Sequence, residues 1–268
     1  IVFANITTAA TVPAHLDYVS STGYATTLHA QGMSVGTVEH LLAALSALGV
    51  DDVLVEVDGP EVPVLDGSAA PFVMLLHEAG LRPLAVPRHY LRVRQAVEVV
   101  HGQKSARLVP AEHFEVRYTI GFDHPLLRHQ ALSLRLSGRA FTDSIAPART
   151  FGFLREVELL RKSGLALGGS LDNAVVIGES GVLNNKLRFP DEFVRHKILD
   201  AIGDLALLGH PLLGRLEAVR AGHALHAAVA RKLLATAEAF ELVPATAALG
   251  AEPALVTEAA ALHPAAAY

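Results

Sequence analysis

The chain of 268 residues has no cysteine. That excludes a disulfide framework and any thiolate metal site, so a metal centre here must be built from imidazole and carboxylate. The same absence fits a cytoplasmic protein. No apolar run approaches the ~20 residues that cross a bilayer. No basic run stands out and the net charge is −5, so nucleic acid is not an expected partner. The chain opens Ile1-Val-Phe-Ala, with neither a methionine nor a signal-like segment. What is present is a globular composition, 51% hydrophobic and 18% charged, long enough for one large domain or two smaller ones. Histidine is plentiful, at fourteen.

Residues 1–36 read as short strands and turns. Thr37–Leu48 switches to helical periodicity, with Thr37 as its N-cap and Gly49 as its stop. Asp52–Asp58 alternates as a strand, and a second helix over Ala69–Ala79 ends at Gly80. Arg82–Arg88, with its prolines, reads as a linker. Leu91–Arg94, Ala96–Val100, Ala106–Val109 and Phe114–Ile120 read as strands of an antiparallel meander. A helix follows over Glu156–Ser163, a strand over Ala174–Ile177, and helices over about Asp191–Leu208 and Ala224–Glu238. Strands then helices, twice over, predict an α+β protein of two similar layered sandwich domains, 1–87 and 88–240. The Ala- and Pro-rich tail is set at 241–268, and from Ala245 it is expected to be loosely ordered.

The helix Phe193–Leu205 organises the rest. His196 and Asp200 stand i and i+4, one turn apart on one face, and Asp204 continues the stripe. Ile198, Leu199, Ile202 and Leu205 form the apolar side. An imidazole and a carboxylate at this spacing can hold two corners of a tetrahedral zinc site; the competing reading is a solvated polar face. Catalytic zinc takes three protein ligands and an open position, and the other half of the chain offers His40, on a helix that also opens with Val-x-His. Glu39 precedes it and is a candidate general base. His223, before the last helix, is a candidate for stabilising an oxyanion and protonating a leaving amine, with Asp204 as its acidic neighbour. From spacing alone, the competing reading is His223 as a helix-end residue.

Seven segments in order then resemble one family. They are Thr37-Val-Glu-His-Leu, Asp66-Gly-Ser68, Arg149-Thr-Phe-Gly-Phe153, Leu167-Gly-Gly-Ser170 with Asp172-Asn173, Arg188-Phe189, Phe193–Leu205 and Gly222-His-Ala-Leu225. Together they are similar to the UDP-3-O-acyl-N-acetylglucosamine deacetylases, zinc amidases of lipid A biosynthesis in Gram-negative bacteria, over about residues 1–240. The resemblance implies His40, His196 and Asp200 as zinc ligands, Glu39 as base, and His223 as acid and electrostatic stabiliser oriented by Asp204. It implies that Thr150 hydrogen-bonds the oxyanion or substrate carbonyl, that Lys197 reaches the sugar nucleotide, and that Phe151 and Phe153 line the substrate site. It also implies an active site between the two domains and a βαβ insert at about 153–177. There Leu154, Val157, Ala166, Ala174 and Val176 would wall a passage for the acyl chain, although an ordinary packed core would use the same residues. The family begins with further strands before residue 1, so the first sheet is expected to lack some and expose an edge.

The expectation is therefore a monomeric, cytoplasmic zinc hydrolase that removes acetate from the 2-amide of a UDP-linked, 3-O-acylated glucosamine. Two alternatives remain beside it: a zinc amidohydrolase for another acylated amino sugar, or a truncated, non-catalytic remnant.

Overall fold

Two helices meet at the centre of the molecule, one from each half of the chain. The computed structural model describes residues 1–155, 170–179, 181–183 and 186–248. Its longer helices are α1 (Glu39–Ala47), α2 (Ala70–Ala79), α3 (Gly138–Ser144), α4 (Glu192–Ala206) and α5 (His223–Ala235). α4 packs on α1 on one side and on α5 on another, with strands Phe114–Ile120 and Gln130–Arg135 also against it. Among the described residues, no helix is long and apolar enough to cross a membrane.

The first half carries two small sheets. Val2–Asn5 lies between Thr11–Pro13, antiparallel, and Leu54–Val57, parallel. Val19–Ser21, Thr27–Ala30 and Met33–Val35 form an antiparallel meander. The second half is built on a seven-stranded mixed sheet, in the order Gln130–Arg135, Phe114–Ile120, Leu212–Val219, His89–Val93, Phe240–Pro244. Lys104–Val109 pairs with Leu212–Val219 and carries Val97–His101 at its side. A separate parallel pair, Phe151–Phe153 with Val175–Ile177, adjoins α4 through the Phe151 and Phe193 rings, 5.0 Å apart.

The expected all-antiparallel meander is corrected here. Only Val97–His101 and Lys104–Val109 form a hairpin of that kind. Leu212–Val219, about a hundred residues later, inserts between Lys104–Val109 and Phe114–Ile120, antiparallel to one and parallel to the other. From Gly214 to Ala218 its residues alternate buried and half-buried, so it is a central strand paired at both edges with one face on the core, and those pairings win over the local hairpin. Phe240–Pro244 also joins this sheet, antiparallel to His89–Val93, so residues 241–244, set in the tail, extend the sheet of the second half. The helix expected over Glu156–Ser163 lies outside the described residues.

Thr37 does not cap α1. It sits at φ 56°, in the left-handed region, and its hydroxyl turns to Glu61 Oε2 at 3.3 Å. Val38 takes the cap position without a side-chain bond, which leaves the first turn of α1 open toward the interior. Gly80 ends α2 at φ 73° as the helix-stop reading required.

One glycine sets how closely the two central helices approach. A Cβ built on Gly203 of α4 would lie 2.0 Å from the backbone oxygen of Glu39 in α1. Only glycine lets the backbones come this near. The polar stripe of α4 is therefore enclosed: His196, Asp200 and Asp204 are each 2% exposed, which overturns the solvated-face reading.

The two halves are also clasped beside this crossing. Glu192, fully buried at the start of α4, accepts hydrogen bonds from the Arg149 backbone N–H and guanidinium and from the Arg188 N–H. The Arg188 guanidinium then reaches Asp66 Oδ2 at 2.9 Å and the Pro147 carbonyl at 2.8 Å. Burial opposes ionisation of Glu192, but these donors outweigh it and hold its carboxyl below the ordinary value.

Candidate metal centre

Three donor atoms converge where α1 and α4 cross. Asp200 Oδ1 lies 3.3 Å from His196 Nε2 and 3.7 Å from His40 Nε2. Zinc bonds of ~2.0–2.1 Å in tetrahedral geometry separate ligand atoms by roughly 3.3–3.4 Å, so the spacing suits one ion. His40, His196 and Asp200 are all buried, and their donor atoms all lie within 4.8 Å of one another.

The protonation pattern also fits. His196 Nδ1 donates to the Ala148 carbonyl at 3.1 Å, which leaves Nε2 as a lone pair facing Asp200. Burial pushes this imidazole down to about 4, with Asp200 working against it, so the ring stays unprotonated at neutral pH. Asp200 is held well below the usual carboxylate range: burial alone would raise it, but His196 and Lys197 more than offset that. The Lys197 ammonium sits on the other carboxylate oxygen, Oδ2, at 2.8 Å. His40 Nδ1 is the one buried side-chain polar atom without a partner among the described residues. A buried, pre-aimed His–His–Asp set is a donor set for zinc.

Two proton-handling groups flank it. Glu39 is 3% exposed, and its Oε2 accepts from the Thr26 backbone N–H at 3.0 Å. Burial raises its pKa above 4.5, although His223 and His40 pull the other way. On the other flank, His223 Nε2 is 3.9 Å from Asp200 Oδ2, and its Nδ1 is 2.8 Å from Asp204 Oδ2. Burial would lower the His223 pKa, but Asp204 outweighs it and carries the imidazole up to about 9. Asp204 is correspondingly strongly acidic, since His223 and His226 overcome its burial.

The remaining expected residues are placed unevenly. Phe151 lies edge-on to His196, centroids 6.2 Å apart, with Lys197 Nζ 5.9 Å from its ring centre. Phe153 is buried one step further out, against Phe122 and His124. Thr150 is half-buried, with its N–H on the Gly67 carbonyl and its own carbonyl accepting from Val175. Leu154 is exposed, Ala174 half-buried and Val176 buried, while Val157 and Ala166 lie outside the described residues.

Four participants were not legible from spacing. Thr26 donates its hydroxyl to Asp204 Oδ1 at 2.6 Å while its N–H holds Glu39. The Ala148 carbonyl orients His196, and Tyr118 and His226 stand behind Asp204. His226 alone carried a signal, being one turn from His223 on the same helix. The others are contacts across the chain, 13 residues for Thr26 with Glu39 and 48 or more for the rest.

The chain matches a family model, "LpxC: UDP-3-O-acyl N-acetylglycosamine deacetylase", over residues 1–235. It is 52% identical over 235 residues to the UDP-3-O-acyl-N-acetylglucosamine deacetylase of Myxococcus xanthus, covering 87% of this chain and 75% of the relative. It is 56% identical over 225 residues to that of an Anaeromyxobacter species, covering 84% and 74%. A Geobacter deacetylase of the same name is 46% identical over 243 residues, covering 90% and 80%.

Proposed function

Since this chain belongs to the LpxC family of UDP-3-O-acyl N-acetylglycosamine deacetylases, we propose a specific role for each buried group at the helix crossing. The enzyme hydrolyses the acetamide of UDP-3-O-acyl-N-acetylglucosamine to acetate and the free amine, a step of lipid A biosynthesis. The convergence of His40, His196 and Asp200 between Glu39 and His223 carries the assignment.

We assign the metal as zinc, held by His40, His196 and Asp200. Zinc bound there supplies Lewis acidity to the amide carbonyl and makes water a better nucleophile at neutral pH. Glu39, raised by burial and fixed by Thr26, accepts the proton of the attacking water. His223, held as a cation by Asp204, offsets negative charge developing on the carbonyl oxygen and delivers its Nε2 proton to the leaving nitrogen. Water is thus divided, its oxygen going to acetate and its two protons accounted for on the amine, which leaves as the ammonium. Thr150 adds a hydroxyl donor near the carbonyl, and Lys197 exchanges its bond to Asp200 for the sugar nucleotide. Phe151, Phe153, Leu154, Ala174 and Val176 wall the acyl passage, with Val157 and Ala166 completing it. The enzyme acts in the cytoplasm as a monomer: one chain supplies every group, and its lack of cysteine demands no oxidising compartment.

Two variants test the roles. Asp200→Ala should lower zinc per chain sharply, while Glu39→Gln should keep zinc and lose roughly 10²–10⁴ in acetate release. Zinc content unchanged in the first, or lost together with activity in the second, would sink the corresponding role.

A further inference from the structure

Behind His223 the hydrogen bonding continues into the fold. Asp204 Oδ2 is shared: His223 Nδ1 and His226 Nδ1 both stand 2.8 Å from it. His226 is 0% exposed, and its other nitrogen, Nε2, is 2.9 Å from the hydroxyl of Tyr118, itself 1% exposed. The direction of each bond follows from what each group can do. An ionised carboxylate only accepts, so both Nδ1 atoms carry protons. With its proton on Nδ1, the His226 ring accepts at Nε2, and the Tyr118 hydroxyl donates. Burial keeps that phenol protonated far above its ordinary range. The chain therefore runs Tyr118 to His226 to Asp204, and meets His223 on the same oxygen.

We infer that His226, backed by Tyr118, is a positioning residue for the acid of the reaction, acting only through Asp204 and His223. The inference rests on the assignment of His223 as that acid. A carboxylate held by a single imidazole is free to turn about its Cβ–Cγ bond as the proton on that imidazole comes and goes. Here Thr26 holds Oδ1 at 2.6 Å and His226 holds Oδ2, which fixes the carboxylate plane without His223. The remaining acceptor direction of Oδ2 points at His223 Nδ1 throughout the cycle. The three elements that meet here are strand Phe114–Ile120, α4 and α5, so the support is anchored in the sheet.

The holoenzyme with zinc bound tests this through kcat and KM on the UDP-acyl sugar, together with zinc per chain and the unfolding midpoint. His226→Leu should lower kcat by roughly 10–100-fold, the scale for partners that orient a reacting group, with KM and zinc content unchanged. His226→Asn, whose amide nitrogen falls near the place of Nδ1, should recover most of that loss. Tyr118→Phe should lose less than His226→Leu, since only the outer bond goes. In a His223→Ala background, His226→Leu should cost nothing further. Equal losses for Leu and Asn, or a His226→Leu penalty that persists without His223, would make His226 a packing residue and overturn the inference. His223→Ala at parental kcat would instead overturn the acid assignment beneath it, leaving His226 with nothing to position.

Discussion

Gly203→Ala is the sharpest single test of how the centre is built, because the added group is one methyl and lies outside the donor set. Its Cβ would stand 2.0 Å from Glu39 O and 2.7 Å from Glu39 C, where ordinary contact begins at 3.4 Å. The obstruction is backbone against backbone, so no side chain can rotate away, and α1 and α4 must part by about 1.4 Å. Metal–ligand distances are held to within about 0.2 Å, so a displacement of that size between His40 and the His196–Asp200 pair exceeds the tolerance severalfold. Stability should suffer less. Alanine in a helix interior gains roughly 1 kcal/mol over glycine, against ~1–3 kcal/mol for overpacking. The variant should therefore fold with a modestly lowered midpoint while losing zinc and acetate release together. Gly59→Ala, where an added Cβ meets nothing within 4 Å, is the control and should behave as the parent. Zinc per chain, unfolding midpoint and turnover measured on the same preparations decide it. A folded Gly203→Ala protein with parental zinc and rate would refute the claim that this crossing sets the site.

Two predictions concern pH. His223 is raised from 6.5 to about 9, so its cation is complete below 6.5 and is lost as pH rises through about 9; kcat should fall there. Asp204→Asn leaves only Asp200 to oppose burial and should move that limb down from about 9, and a limb that stays near 9 would remove Asp204 from its role. Glu192 is lowered from 4.5, so its contribution to stability is complete above 4.5 and lost as pH falls through its folded value. Glu192→Gln, which strips the buried Arg149 of its counter-charge, should cost roughly 3 kcal/mol at neutral pH and progressively less on acidification. A urea midpoint difference that is the same at every pH would rule out the ion pair as the cause.

Helical periodicity made the catalytic stripe legible. His196, Asp200 and Asp204 need only a 3.6-residue repeat to share a face, and α4 spans Glu192–Ala206 where about Asp191–Leu208 was expected. Which way that face points was not legible, because its burial comes from α1, α5 and the sheet closing over it. His40, the third proposed ligand, was within reach only because a zinc site needs one more donor than α4 supplies. Strand pairing was the weakest part. Nothing local in Leu212–Val219 says that it divides Lys104–Val109 from Phe114–Ile120, since that is decided by distant partners. Thr37 misled for a related reason: a threonine before a helical run normally caps it, but here a left-handed turn redirects the hydroxyl to Glu61. Asp66, Arg149 and Arg188 carry motif positions with no proton to move, and their geometry shows them fastening one half of the chain to the other.

Thr26 sets a condition on how this enzyme can tolerate motion. Its amide and its hydroxyl, atoms of a single residue, hold Glu39, the proposed base, and Asp204, the partner of the proposed acid. The two groups belong to helices more than a hundred and fifty residues apart in sequence, and breathing of one half against the other would ordinarily vary their separation independently. With one residue as a common reference point, a displacement of the segment leading into strand Thr27–Ala30 carries both in the same sense. Errors in base and acid placement are then correlated rather than independent, and the span between proton acceptor and proton donor varies less than either position does alone. A hydrolase that must bracket a single amide bond from two sides depends on that difference, not on either absolute coordinate.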